Sequence, residues 1–316
     1  MPTGVGRVPR VLVLGSSGFI GSRVVASLGN SGRAHVVALS RKPVAGLRDN
    51  NATTATADIS VPGSLRRILT GADVVIHAAS YVGSEPRLAH AVNEAGTGNV
   101  IEQCREAGVP RLIYVSTCSV YGSGPHRGIR ESEAGYHPAS AASASRAVAE
   151  QLVLGYGGEI VRPSLVFGAG DRWLVPGLLK LMKVAGGWPG DGSALLSIID
   201  VAALGRLISG LALTDPQPGR AFHAAYPEPV RVSFLVESVA RILGEDCPTF
   251  LGDNERAGQA LRAAGFSAHQ IDLVTKDHWY SSGDLWRISG LEPETFGGSL
   301  GEFSSAYEPS GGADPR

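Results

Sequence analysis

The chain has 316 residues, 43% of them hydrophobic and 18% charged, a balance that fills a buried core and excludes an intrinsically disordered or fibrous protein. A formal charge of −1 argues against nucleic acid or an anionic membrane as partner, and no run approaches the roughly 20 apolar residues that span a bilayer. Cys104, Cys118 and Cys247 are widely spaced with no C-x-x-C, so neither disulfides nor a bound metal are expected. The first residues, MPTGVGRVPR, show no apolar leader, and a cytoplasmic location is expected.

An apolar run from Val11 to Leu14 predicts the first strand and passes directly into GSSGFIG at residues 15–21. Ile20, Val24, Val25 and Leu28 follow at helical spacing. In a strand, turn and helix, each glycine of this motif has a task. Gly15 makes the sharp turn off the strand, Gly18 leaves room for a pyrophosphate at the helix N-terminus, and Gly21 lets the helix pack closely on the sheet. Further strands are expected at 34–39, 73–79, 111–116 and 159–164, alternating with helices near 63–70, 86–107 and 140–154. This alternation predicts an α/β fold, a Rossmann-type doubly wound parallel sheet, and the resemblance set out below implies that a smaller C-terminal substrate-binding domain accompanies it. Residues 1–168 and 195–227 are assigned to the nucleotide domain, and 169–194 and 228–303 to the substrate domain. Residues 304–316 are expected to form a flexible tail, because they carry few large apolar groups.

The second strand ends in Leu39-Ser40-Arg41-Lys42. A chain that prefers NAD usually places a carboxylate there to accept from the ribose 2′-hydroxyl. Two cations and a hydroxyl suit a 2′-phosphate instead, so NADPH is expected, with NADH weaker.

Several motifs follow in order: TADIS (56–60), VIHAAS (75–80), NEAGTGN (93–99), YVSTCSVYG (114–122), VRPSLVFG (161–168), SIIDVA (197–202) and WRISGLEP (286–293). Together with GSSGFIG they resemble the extended class of short-chain dehydrogenase/reductases, which contains sugar-nucleotide epimerases and dehydratases. The resemblance covers nearly the whole chain. It implies cofactor contacts from Gly15, Ser17, Gly18, Phe19, Ile20, Gly21, Ser40, Arg41, Lys42, Asp58, Ile59, Ala78, Ala79, Ser80, Arg146 and Pro163, with Asp58 on the adenine amino group. Asn93 matches the residue that bends the fourth helix and helps hold a water. On the substrate side the resemblance points to Tyr81, Thr117, Ser119, Trp173 and Trp188. Trp279, Tyr280 and Trp286 are expected to join the two tryptophans over the nicotinamide, a surface for a flat apolar ligand.

The family moves its proton with a Tyr whose pKa is lowered by a Lys four residues later. Here the corresponding helix reads AASASRAVAEQL, and anchoring on Glu150-Gln151 puts Ala142 at the Tyr position and Arg146 at the Lys position. None of the eight tyrosines is followed by Lys four residues on, and no lysine lies between 43 and 179. Thr117, four residues before Tyr121, keeps the family's Ser/Thr partner. The catalytic residues expected are therefore Thr117, Asn93 and Arg146. Arginine can hold a ribose with its planar fork, but it stays charged and cannot relay a proton.

The expected activity is NADPH-dependent reduction of a polycyclic aromatic ketone whose own neighbouring hydroxyl supplies the proton. In this the chain resembles atypical reductases of bacterial aromatic-polyketide pathways acting on angucyclinone-type ketones. A non-catalytic NADP(H)-binding sensor or scaffold is the alternative, and a sugar-nucleotide epimerase or dehydratase ranks third. The expected partner is a small aromatic ketone, and the protein is expected to be a monomer or a homodimer.

Overall fold

The computed structural model describes residues 7–43 and 51–307. Strand β1 (Arg10–Leu14) leads through the glycine turn into α1 (Phe19–Ser31). Strands β2 (His35–Ser40) and β3 (Ala52–Thr56), helix α2 (Arg66–Leu69) and strand β4 (Val74–His77) follow. Next, α3 (Pro86–Ala89), a π-helical turn at His90–Ala95 and α4 (Gly96–Ala107) run on without a break. Strand β5 (Leu112–Val115) ends in a single 3-10 turn, Cys118–Tyr121, before β6 (His126–Ile129), α5 (Ala141–Tyr156) and β7 (Glu159–Pro163). Then come β8 (Leu165–Phe167), α6 (Leu174–Ala185), β9 (Leu195–Leu196), β10 (Ile198–Asp200), α7 (Val201–Ala212) and β11 (Ala221–Ala224). The last elements are β12 (Val230–Arg231), α8 (Val232–Leu243), α9 (Glu255–Ala263), α10 (Ala268–Thr275), β13 (His278–Tyr280), α11 (Gly283–Ser289) and α12 (Leu300–Tyr307).

Seven strands form one parallel sheet in the order β3-β2-β1-β4-β5-β7-β11. Alternate residues of a central strand enter different cores, which is why such strands read as unbroken apolar runs. Val11 and Val13 pack with Val24, Val25 and Leu28 of α1, whereas Leu12 and Leu14 pack with Val100 and Cys104 of α4. Because the chain leaves β1 towards β2 on one side and β4 lies on the other, a crevice opens at their carboxyl ends. Two smaller sheets, β8-β10 and β12-β9-β13-β6, lie outside the large one.

Two segments depart from expectation. Strand β3, ATTAT, has exposed Thr53, Thr54 and Thr56 and lies at the sheet edge, where no apolar run marks it. The segment expected to be mobile from residue 304 is instead helical as far as Tyr307. The Tyr307 hydroxyl accepts from Gly168 N (2.9 Å) and donates to Asp171 (2.7 Å), and Phe303 is fully buried. Residues 308–316 of that expected tail, like Lys42's neighbours from 44 to 50, lie outside the described residues. Among the described residues no helix is long and apolar enough to cross a membrane.

Candidate active site

The nucleotide side of the crevice is built from backbone. Gly15 adopts φ 78°, and a Cβ there would sit 2.6 Å from Ala79 N, so only glycine fits. The amides of Gly15 and Ser16 both donate to Leu39 O at 3.0 Å, tying the turn to β2. A Cβ on Gly21 would strike the Gly15 carbonyl. Gly18 caps α1 with no side chain, which leaves the amides of the first helical turn pointing into the cleft as donors. The cleft is lined by Gly15, Ser17, Gly18, Ser40, Arg41, Asp58, Ile59, Ala78, Ala79, Ser80 and Tyr81. Leu39, Ala57, Ser60 and Val92 also line it; the sequence reading had not singled them out. The donor set and the absent side chains fit a dinucleotide, with its diphosphate at the glycine turn.

Asp58 accepts from the Ser60 hydroxyl (2.7 Å) and amide (2.9 Å), which hold its carboxyl below the usual range, with Arg41 adding to the effect. Ser40 donates to Lys42 O (2.7 Å) and closes the turn that brings Arg41 to the cleft. The Lys42 side chain is exposed and does not line the cleft. Five other expected contacts also lie off its wall, Arg146 among them. Ile20 packs on the core, Gly21 and Pro163 are buried, and Phe19 faces the loop at Gly170. For Phe19, Ile20 and Gly21 the contribution is therefore the backbone amide.

Beyond the Ser80–Tyr81 end of the cleft stand side chains that do not themselves line it, among them Thr117, Ser119 and Arg146. Thr117 follows β5, and its Oγ1 accepts from Ser119 N (3.1 Å), leaving the hydroxyl proton for another acceptor. Helix α5 packs on this turn and begins with a capping box in which Ser140 and Ser143 bond each other, so those two serines are structural. Its first turn carries Ala142, and Arg146 follows one turn later. The Arg146 Nη2 donates to Ser80 Oγ (2.5 Å) and Nη1 to the Ser116 carbonyl (3.4 Å), so the guanidinium bridges the segments after β4 and β5. Its Nε is buried without a partner, as is Ser116 Oγ. Burial pulls the Arg146 pKa below its ordinary value.

Asn93, in the π-helical turn, is fully buried. Its Oδ1 accepts from Tyr81 N (2.7 Å), and its Nδ2 donates to Tyr81 O (2.9 Å) and Ser145 Oγ (3.0 Å). These bonds clamp the loop that presents Tyr81 to the cleft, so Asn93 acts here as a positioning residue. Behind it, His77 shares a 3.1 Å hydrogen bond with Thr97, and burial together with the Arg146 cation drives its pKa down to about 3.

A buried network anchors α5 from below. Glu150 takes Arg162 Nε at 3.1 Å and Nη2 at 2.5 Å, and accepts from Tyr136 OH at 2.7 Å. Arg162 Nη1 also donates to Tyr121 OH (2.6 Å), which shares a 2.7 Å bond with His223 Nε2. The stacked tryptophan surface expected over the nicotinamide does not form. Trp188 and Trp286 are each 1% exposed in the core, and Tyr280 is buried against Tyr121. Trp188 pairs in chain direction with Phe250, and Trp286 donates to Ala225 O (2.8 Å). Trp173, 69% exposed at the start of α6, is the aromatic of this set that stays open to a ligand.

A profile of the NAD dependent epimerase/dehydratase family matches residues 11–209. The chain belongs to that family. It is 30% identical over 310 residues to the 2-alkyl-3-oxoalkanoate reductase of Stenotrophomonas maltophilia (strain K279a), covering 90% of this chain and 87% of the relative. It is also 30% identical over 215 residues to the 4-hydroxy-2-methyl-3-oxo-4-farnesyl-3,4-dihydroquinoline-1-oxide ketoreductase of Stigmatella aurantiaca, 61% of each chain. The 3beta-hydroxysteroid-dehydrogenase/decarboxylase isoform 2 of Arabidopsis thaliana is 30% identical over 225 residues, which is 65% of this chain and 40% of that enzyme's length. Among solved structures, the terminal R domain of the myxalamid PKS-NRPS pathway superposes with TM-score 0.75 at 19% identity, covering 96% of this chain and 91% of that one. MoeE5 in complex with UDP-glucuronic acid and NAD gives 0.72 at 24% identity, covering 94% and 98%. These structural likenesses show the fold. The named reductases and dehydrogenases, with the family match, make the chain an NAD(P)-dependent oxidoreductase.

Proposed function

We propose that the chain is an NADPH-dependent ketoreductase for a polycyclic aromatic, angucyclinone-type polyketide ketone, working without a tyrosine acid and taking its proton from a hydroxyl beside the reacting carbonyl. One observation carries the reading: beside a glycine-lined cleft Thr117 keeps a hydroxyl proton to donate, while α5 carries Ala142 at the position that matches the family's proton donor. The 3-oxo and ketoreductase names of two relatives favour a ketone as substrate. Arg41 on the cleft wall, with no carboxylate at the end of β2, favours the 2′-phosphate of NADPH.

The bound nicotinamide supplies the hydride. The amides of the first turn of α1 hold the diphosphate, and Asn93 fixes the loop of Ser80 and Tyr81 along the cleft. The Thr117 hydroxyl, its oxygen already occupied by the Ser119 amide, donates to the substrate carbonyl and polarises it. Tyr81, Ser119 and Trp173 border the substrate, a small molecule bound by a monomer or homodimer.

The test uses NADPH deuterated at C4, in separate stocks for each ring face, with a set of polycyclic aromatic ketones. One deuterium in the product, from one stock only, is the expected result. No transfer, with NADPH binding verified by fluorescence, would overturn the reductase and leave a non-catalytic NADP(H)-binding protein.

A further inference from the structure

Arg146 is a half-buried cation that, among the described residues, no anion neutralises. Its guanidinium meets two neutral oxygens, Ser80 Oγ and the Ser116 carbonyl, and its buried Nε meets nothing. The carboxylate that acts on it through space, Glu150, is already bound by Arg162 through both of its oxygens and by Tyr136 OH. Among the described residues no carboxylate lies within ion-pairing distance of Arg146. Two guanidinium groups thus share one carboxylate, and a positive charge is left where β4 and β5 end.

A partly buried charge whose Nε is cut off from water and from any partner favours a ligand that compensates it. At this position the cofactor would bring ribose hydroxyls rather than a negative charge. Its diphosphate belongs at the glycine turn after β1, on the other side of β4, and ribose hydroxyls are neutral. The substrate is left as the source of negative charge, beside the Thr117 hydroxyl, whose residue directly follows the Ser116 carbonyl that Arg146 holds.

We propose that Arg146 is the counter-cation for an oxyanion on the substrate, which restricts the enzyme to ketones bearing an acidic, conjugated hydroxyl next to the reacting carbonyl. This rests on the aromatic-ketone reading above and specifies its substrate class. In the step, the carbonyl carbon gains the hydride as the nicotinamide is oxidised by two electrons. The C–O π pair moves to oxygen, which takes the proton of the neighbouring hydroxyl. The electron pair of that O–H bond stays behind as a phenolate or enolate facing Arg146, and a solvent proton later restores the hydroxyl. A fixed, partly buried cation lowers the cost of that oxyanion more than water alone would.

The test reads the ionisation of a bound dye, without turnover. Danthron, a dihydroxyanthraquinone whose visible band moves to the red on ionisation, is titrated with pH on the full-length protein saturated with NADP+. Its dimethyl ether serves as a binding control. Expected is an ionisation midpoint for bound danthron at least about one pH unit below that of the free dye, a tenfold change in ionisation constant. Arg146→Lys keeps most of the shift, and Arg146→Gln removes it, each variant being titrated at an NADP+ concentration that calorimetry shows to saturate it. Equal midpoints for wild type and Arg146→Gln would overturn the role of Arg146 and leave the aromatic-ketone reading intact. Should Arg146→Gln fail to fold, an unshifted midpoint in the wild type overturns it equally. If neither danthron nor its ether binds, the aromatic-ketone reading itself fails, and the proposal with it.

Discussion

At the carboxyl end of β1 the binding surface is made of backbone: a glycine held at φ 78°, amides at the start of α1, and a carbonyl that leaves no room for a Cβ at Gly21. Past the ends of β4 and β5 stand side chains instead, namely Ser80, Thr117 and Arg146. The two regions tolerate change differently. Backbone geometry constrains the sequence through sterics, so the nucleotide region keeps its glycines. The chemistry of the second region depends on which groups can hold a proton, and the proposed function rests on Ala142 and Arg146 standing there. Retention of a cofactor cleft therefore carries no information about where the proton comes from.

The comparison can be broken at several points. The largest effect is expected for Glu150→Gln, which strips Arg162 of its carboxylate inside the core. Removing one partner of a buried pair costs about 3–5 kcal/mol, to be read by urea denaturation; a loss within experimental error would show that the network does not anchor α5. The protein should also lose stability in acid. His77 and His223 are buried neutral, their pKa values pulled down by burial to about 3 and about 4 from an ordinary 6.5. The unfolded chain binds two protons that the folded one refuses, so stability present above pH 6.5 falls as pH drops below it, by about 3 kcal/mol per pH unit for two groups. Melting temperatures that stay flat between pH 6.5 and pH 5 would contradict this.

In the nucleotide region, Gly15→Val forces a branched side chain into a left-handed backbone against Ala79. NADPH binding should weaken at least about 100-fold by fluorescence titration, with circular dichroism unchanged. Thr117→Ala should lower the reduction rate by about 100-fold and leave NADPH affinity alone, the reverse pattern. An unchanged rate would remove Thr117 from the mechanism. The smallest effect is expected for Arg41→Ala, which should cut the preference for NADPH over NADH by about tenfold. Equal affinities for the two cofactors in the wild type would remove the basis for that preference.

The nucleotide region was legible in the sequence because it is local. GSSGFIG, the apolar strands and the helix after them lie within one stretch, and the steric demands on Gly15 and Gly21 can be read from position alone. The helix that carries Ala142 and Arg146 was equally visible, since its small-residue pattern lies within one stretch. What escaped is long-range or weakly patterned. Tyr121 and His223 meet across 102 residues, and Glu150 and Arg162 meet only once β7 folds back beside α5. Trp188 sits among Gly186, Gly187 and Gly190 and reads as part of a loop, yet its backbone pairs with Thr249 and Leu251 and the ring is buried. The π-helical turn that lets Asn93 clamp the Tyr81 loop adds one residue to a helical repeat, a change too small to register in the apolar spacing. Helix α12 follows the glycine pair Gly297-Gly298 and has little apolar content beyond Leu300, Phe303 and Tyr307, so its docking on the 168–171 loop was hidden.

The measurement that bears most directly on the separation of the two regions is kcat/KM for a matched pair of polycyclic aromatic ketones. One carries a free hydroxyl beside the carbonyl and the other the same hydroxyl as its methyl ether. With the proton supplied by the substrate, methylation should lower kcat/KM by about 10²–10⁴-fold, the usual contribution of a positioned acid. Comparable values for the two ketones would contradict the account and return the proton donor to the protein.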